Sequence, residues 1–120
     1  MTYLFVFLGG GLGCLTRFGL GQLVNHWVKS PFPFGTFLSN MFACALLGLF
    51  VICTRQYTEQ ESWIQPLLIV GFCGGFSTFS AFSNESVQLI DQGNYFVAAL
   101  NILISVGVGM ALIFLIRSKA

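Results

Sequence analysis

Long apolar stretches alternate with short polar ones along the whole chain. Four of the apolar stretches reach the roughly 20 residues that a helix needs to cross a bilayer. They are Tyr3–Val24, Gly35–Cys53, Trp63–Ile90 and Tyr95–Ile116. The pattern predicts an all-α membrane protein in which residues 1–120 form a single domain of four transmembrane helices.

The third stretch is too long for a straight crossing. Its 28 residues would make a helix of about 42 Å, and the hydrocarbon core is only ~30 Å thick. Its middle, residues 71–85, reads GFCGGFSTFSAFSNE and combines three glycines with a run of hydroxyls. Because glycine costs about 1 kcal/mol relative to alanine inside a helix, we predict a broken third helix with the break near residues 74–78. Such breaks free backbone groups that bind ions in other membrane proteins.

The same residues allow a second interpretation. The glycines could be close-packing positions of an unbroken helix, since small residues are common where membrane helices meet. The hydroxyls could then bond to the carbonyl four residues earlier. The residues alone leave both interpretations open.

Composition agrees with a membrane location and excludes several classes of protein. The chain is 56% hydrophobic and 8% charged, with a mean hydropathy of +0.84, whereas soluble domains carry roughly a quarter charged residues. A net charge of +1 offers no basic surface for nucleic acid. The single histidine, His26, falls in a connector and no nucleophile–base pair is present, so we expect no enzyme.

Aromatic and polar side chains recur together after the glycines. Phe76, Phe79 and Phe82 are three apart, as residues on one helix face are, and a serine follows each. The positive edges of the rings beside hydroxyl donors would suit a small dehydrated anion, without a full cation that would hold it too tightly. Core packing is the alternative. The Asn40 amide, inside the second stretch, is either a further donor on a pathway or an interhelical hydrogen bond.

Other polar residues inside the apolar stretches pose the same choice. Asn101 and Ser105, four apart, are a second polar pair on a pathway or a contact between helices. Arg17 either extends its charge toward the surface, pairs with a carboxylate such as Glu85, or lines a vestibule. The preceding Gly9-x-x-x-Gly13 is a weak signal for dimerisation.

Basic residues give only a weak orientation bias. Four crossings place Arg55, Arg117 and Lys119 on one side, against Lys29 and an Arg17 that leans toward it. Orientation follows the Lys and Arg bias of short loops. The protein would therefore insert both ways up and form an antiparallel homodimer, or insert in a single orientation with both termini inside.

Taken together, these motifs resemble the small bacterial fluoride channels of the Fluc or CrcB family, over nearly the whole chain. The most specific part is Gly71-Phe72-Cys73-Gly74-Gly75-Phe76-Ser77-Thr78-Phe79-Ser80-Ala81-Phe82-Ser83-x-Glu85. The glycine-rich first helix ending in Arg17-Phe18 and the sequence Gly35-Thr36-x-x-x-Asn40 complete the match.

The resemblance implies an antiparallel dual-topology homodimer with two fluoride pores. It implies a sodium ion at the centre of the dimer, bound by the backbone carbonyls of Gly74 and Ser77. The family's other positions fall on a pore lined by Asn40, Phe79, Phe82, Asn101 and Ser105, a polar track of Thr36, Ser80 and Glu85, and Arg17 in a vestibule or structural role. The chain departs from common family residues at Ala81, Asn101 and Gly109.

The function implied is passive export of fluoride across the bacterial plasma membrane, which relieves fluoride toxicity. The alternative is a proton-coupled small multidrug exporter. That mechanism needs a carboxylate at mid-membrane, usually in the first helix, where this chain has Arg17. A non-transporting assembly subunit is the third hypothesis.

Overall fold

The computed structural model describes residues 1–55 and 63–119. Within these ranges the protein is all-helical, and four apolar segments are long enough to cross a membrane, which confirms the expected helix count. Helix α1 is Thr2–Trp27, α2 is Phe34–Thr54 and α5 is Tyr95–Ser118. The third segment consists of α3, with wide π-type turns over Gln65–Cys73 and α-helical turns over Gly74–Phe76, followed by α4, Phe79–Asp91.

The helix ends follow local capping rules. Helix α1 continues past the expected Val24 to Trp27, because the first proline after it is Pro31, and the Lys29 ammonium donates to the Asn25 carbonyl at 2.7 Å. Helix α4 ends in a Schellman motif. There Gly93 has a φ of 79°, which favours glycine, and its N–H bonds to the Ile90 carbonyl.

Glycines let α1 approach α3 so closely that their backbones touch. A Cβ on Gly9 would overlap the Leu67 carbonyl oxygen, and a Cβ on Gly75 would overlap that of Gly10. Gly13 lies against Phe72 in the same way. Gly9-x-x-x-Gly13 therefore forms a contact within one chain, and its interpretation as a dimer contact is wrong. The close-packing interpretation is correct for Gly71 and Gly75, whereas nothing lies within 4 Å of a Cβ on Gly74.

The backbone leaves the helical conformation after the glycines. Gly74 is still helical, with φ −65° and ψ −37°, but Ser77 (φ −83°, ψ 156°) and Thr78 (φ −150°, ψ 117°) are extended. The change of direction separates the phenylalanines that share a face in a continuous helix. Phe76 is only 4% exposed and packs on Phe72, with ring centroids 5.7 Å apart. The expected stripe of three rings is therefore limited to Phe79 and Phe82.

Candidate functional site

Asn40 binds the extended segment from the neighbouring helix. Its Oδ1 accepts from the Thr78 N–H at 2.7 Å, and its Nδ2 donates to the Thr78 carbonyl at 3.3 Å. In a continuous helix the Thr78 N–H would instead donate to the carbonyl four residues earlier, that of Gly74. The α2 amide thus takes over the hydrogen bonds that the third segment lacks at this point.

Two carbonyls at the end of α3 lose their usual helical donors. The Gly74 carbonyl loses the Thr78 N–H to Asn40. The Ser77 carbonyl loses the Ala81 N–H, which bonds to the Thr78 hydroxyl at 3.2 Å as the N-cap of α4. Carbonyl oxygens at a helix C-terminus carry partial negative charge, and oxygen ligands suit a hard cation. These two carbonyls are therefore of the ligand type that the resemblance implied for sodium.

Arg17 lies against the same helix end from α1. Its Nε donates to the Gly75 carbonyl at 3.3 Å, and Nη2 contacts the Cys14 sulfur at 3.3 Å. A guanidinium at the C-terminus of a helix interacts favourably with the helix dipole. Arg17 therefore stabilises the end of α3, and the first-helix cation and the backbone interruption form one structural unit.

A cavity of about 250 Å³ lies beside the extended segment. Its lining combines hydroxyls and an amide with aromatic rings and thiol or thioether groups, from Asn40, Met41, Cys44, Ser77, Thr78, Phe79, Phe82, Ser105 and Val106. The rings of Phe79 and Phe82 have centroids 5.9 Å apart and planes inclined at 42°. Phe79 is 80% exposed, so its ring lies at the rim of the cavity.

Ser105 and Asn101 occupy different depths in α5. Ser105 lines the cavity, whereas Asn101 is 1% exposed and lies behind it. The Ser105 hydroxyl donates to Asn101 Oδ1 at 3.2 Å, and Asn101 Nδ2 donates to the Ser86 hydroxyl at 3.0 Å. Asn101 thus contacts the cavity only through Ser105. Sequence reasoning missed Ser86, since its partner is 15 residues away on another helix.

A second cavity of about 250 Å³ lies toward the α1–α2 connector end of the helices. It is lined by Arg17, Phe18, Gly21, Gln22, Asn25, Gly35, Thr36, Ser39, Ala81 and Glu85. The Thr36 hydroxyl donates to Glu85 Oε1 at 2.7 Å, while Glu85 Oε2 is buried without a hydrogen-bond partner among the described residues. Arg17 and Glu85 both line this cavity. Arg17 donates to the Gly75 carbonyl, however, and Glu85 accepts from the Thr36 hydroxyl.

The polar-track residues do not form one continuous hydrogen-bonded row. Thr36 and Glu85 are paired, and Ser80 lies an α4 turn away, with its hydroxyl 3.3 Å from that of Thr78. Ser39 was not singled out from the sequence, although it lines the second cavity. A further cavity, of about 540 Å³ between the ends of α2 and α5, contains none of these residues.

Fold and site together define a multi-pass helical membrane protein whose third segment is held by polar side chains of its neighbours. The comparison with known families is specific. Residues 4–116 match the model of the family described as "CrcB-like protein, Camphor Resistance (CrcB)", and the chain belongs to this family.

Relatives of this chain carry the name "Fluoride-specific ion channel FluC". The chain is 40% identical to the protein of Flavobacterium psychrophilum over 109 residues, which cover 91% of this chain and 88% of the relative. It is 40% identical to that of Coxiella burnetii (strain CbuK_Q154) over 112 residues, 92% and 90% of the two chains. The Solibacter usitatus protein is 34% identical over 114 residues, 95% and 93% of the two chains.

Proposed function

We propose that this protein is a fluoride-selective ion channel and not an enzyme. It lets fluoride leave the bacterial cytoplasm passively, down its electrochemical gradient, and so relieves fluoride toxicity. The observation that carries the proposal is the cavity between α2, α4 and α5, which combines hydrogen-bond donors with two aromatic rings in a chain whose relatives are named fluoride-specific channels.

The chemistry of the cavity suits a small anion. Fluoride is strongly hydrated, so a selective path has to replace its water with short-range donors. One N–H of the Asn40 amide remains after its bond to Thr78, and the Thr78 hydroxyl lies in the same lining. The Ser77 and Ser105 hydroxyls also line the cavity, and there they donate to the Cys73 carbonyl and to Asn101 Oδ1. Ring edges of Phe79 and Phe82 offer partial positive charge. Because the lining of this cavity holds no Lys or Arg, the anion would be held weakly enough to leave.

Passive anion efflux from liposomes tests the function directly. Vesicles containing the purified protein and loaded with both fluoride and chloride should release fluoride, with chloride retained. Protein-free vesicles control for leakage. Equal release of both anions would refute selectivity, and release of neither would refute a channel.

Conservative ring substitutions test the site itself. In Phe79→Ile and Phe82→Ile the apolar volume is largely kept and the aromatic edge is lost. We expect severe loss of fluoride efflux in at least one of the two. A buried position away from the cavity, Thr54→Val, is the matched control, since among the described residues the Thr54 hydroxyl bonds to the Val51 carbonyl of its own helix alone, at 3.3 Å. Normal efflux in both isoleucine variants would show that fluoride efflux does not depend on these two rings, and would refute this cavity as the site.

We also propose that the protein works as an antiparallel dual-topology homodimer. Gly74 is exposed and the Phe79 ring is 80% exposed, so the residues around the extended segment offer surface that a second copy could cover. The Gly74 and Ser77 carbonyls of one chain supply fewer oxygens than a hard cation usually takes, and a second copy would double that number. When bound there, sodium would neutralise the partial negative charge of the helix end.

Topology and location can be measured together. A C-terminal tag in bacterial cells should be accessible from both faces of the plasma membrane if insertion is dual. Accessibility from one face alone would support the single orientation and contradict the antiparallel dimer.

A further inference from the structure

Three polar side chains between α4 and α5 form a hydrogen-bonded chain that ends at the cavity. The Ser86 hydroxyl donates to the Phe82 carbonyl at 2.9 Å, Asn101 Nδ2 donates to Ser86 Oγ at 3.0 Å, and Ser105 Oγ donates to Asn101 Oδ1 at 3.2 Å. Ser86 and Asn101 are 5% and 1% exposed, so water cannot replace these partners. In this arrangement every hydroxyl hydrogen of the chain points away from the cavity.

The same three side chains have a second arrangement, in which both hydrogen bonds to the Asn101 amide are kept with their donors and acceptors exchanged. A side-chain amide has an acceptor oxygen and a donor nitrogen of nearly the same size. If the Asn101 amide turns over, Oδ1 accepts from the Ser86 hydroxyl and Nδ2 donates to Ser105 Oγ. The Phe82 carbonyl can lose the hydrogen bond from the Ser86 hydroxyl, because this carbonyl still accepts a backbone N–H within α4. The Ser105 hydrogen is then free to point into the cavity.

What the cavity contains decides between the two arrangements. The first has three hydrogen bonds without any help from the cavity. The second has two within the protein and gains its third only when an acceptor lies next to Ser105. An anion is such an acceptor, and a charge-assisted hydrogen bond is roughly twice as strong as a neutral one. An anion in the cavity therefore favours the second arrangement.

We propose that Asn101 is a positioning residue whose amide, by turning over between Ser86 and Ser105, determines whether the Ser105 hydroxyl offers its hydrogen to an anion in the cavity. This inference rests on the proposed function, since it assumes that fluoride is that anion. The hydroxyl then becomes a donor only while fluoride is next to it, and returns to Asn101 as the ion moves on.

Fluoride efflux from liposomes should show that Asn101 and Ser105 act as one unit. Asn101→Leu removes the amide at similar volume, and Ser105→Ala removes the terminal hydroxyl. Each should lower fluoride efflux about tenfold, which corresponds to about 1.4 kcal/mol, near the upper range for one hydrogen bond. The double variant should be no slower than either single variant, because both interrupt the same chain. Thr54→Val should keep wild-type efflux.

A spectroscopic measurement separates positioning from simple packing. The side-chain amide signals of Asn101, assigned by nuclear magnetic resonance in detergent micelles, should shift when fluoride is added and stay unchanged when chloride is added. The fluoride shift should disappear in Ser105→Ala, in which α5 is otherwise intact. This measurement does not depend on whether Asn101→Leu folds.

Different results would refute the inference and the function separately. If the wild-type protein passes no fluoride, the proposed function fails and this inference fails with it. If the wild type conducts, and the reductions multiply to about a hundredfold in the double variant, the residues act independently and the inference is wrong while the channel stands. If the protein conducts fluoride but the Asn101 amide signals do not respond to it, the inference is likewise wrong and the channel function stands.

Discussion

Replacing Asn40 by leucine removes both hydrogen bonds that hold the extended segment to α2. The 2.7 Å bond from the Thr78 N–H is the stronger, and the 3.3 Å bond to the Thr78 carbonyl is near the limit of the geometry. A buried donor left without a partner costs about 1–3 kcal/mol, while measured hydrogen bonds between membrane helices average about 0.6 kcal/mol. We therefore expect Asn40→Leu to lower the free energy of unfolding by about 1–3 kcal/mol, mostly through the Thr78 N–H.

The variant has one way to reduce this cost. The Thr78 N–H could return to the Gly74 carbonyl, four residues earlier, if Ser77 and Thr78 became helical. That change would move the Phe79 and Phe82 rings away from Ser105, so fluoride efflux should be lost even if stability is partly recovered. If Ser77 and Thr78 stay extended instead, the cavity lining still lacks the Asn40 amide donor, so conduction should fall in either case.

Reversible unfolding in mixed micelles, together with liposome efflux, measures the two effects. Asn40→Asp is an informative intermediate because a carboxylate still accepts from the Thr78 N–H but cannot donate to its carbonyl. Thr54→Val is the control for loss of a buried hydroxyl. Wild-type efflux in Asn40→Leu, with an unfolding free energy within about 0.5 kcal/mol of wild type, would refute the role assigned to this amide.

Three further perturbations follow from the packing and the charges. Gly13→Ala should destabilise the protein by about 1–3 kcal/mol, because its Cβ would overlap the α3 backbone. Gly11 has open space around it, so Gly11→Ala should be neutral or stabilising by up to about 1 kcal/mol. Equal unfolding midpoints for the two variants would contradict the close approach of α1 and α3. Arg17→Gln should lower the unfolding midpoint and reduce fluoride efflux several-fold. Arg17→Lys should be intermediate, because an ammonium reproduces the charge but not the several N–H donors of the planar guanidinium. Unchanged efflux and unfolding midpoint in both variants would show that the end of α3 needs no cation. Glu85→Gln keeps an acceptor for Thr36 and removes a charge, so the fold should be retained; loss of resistance to cationic drugs in this variant, without a change in fluoride tolerance, would support the multidrug exporter instead.

The sequence by itself determined the number of apolar helices. Apolar length, proline positions and glycine turns act through neighbours a few residues away, and the relevant helical hydrogen bonds join residues four apart. The same local rules placed the polar residues within the apolar segments, so Asn40, Arg17, Glu85 and Ser105 could be singled out before any partner was known.

Only the tertiary structure decided what those residues contact. Asn40 pairs with Thr78 at a sequence separation of 38, and Arg17 reaches Gly75 at a separation of 58. Phe76 lies in the core. Because the backbone is extended at Ser77, Phe76 does not share a helix face with Phe79 and Phe82, as their spacing of three residues in the sequence had suggested. Likewise, Gly9-x-x-x-Gly13 looks the same whether it meets another chain or α3. A pattern along one helix fixes which face is small or polar, but the partner of that face is chosen by how the helices pack.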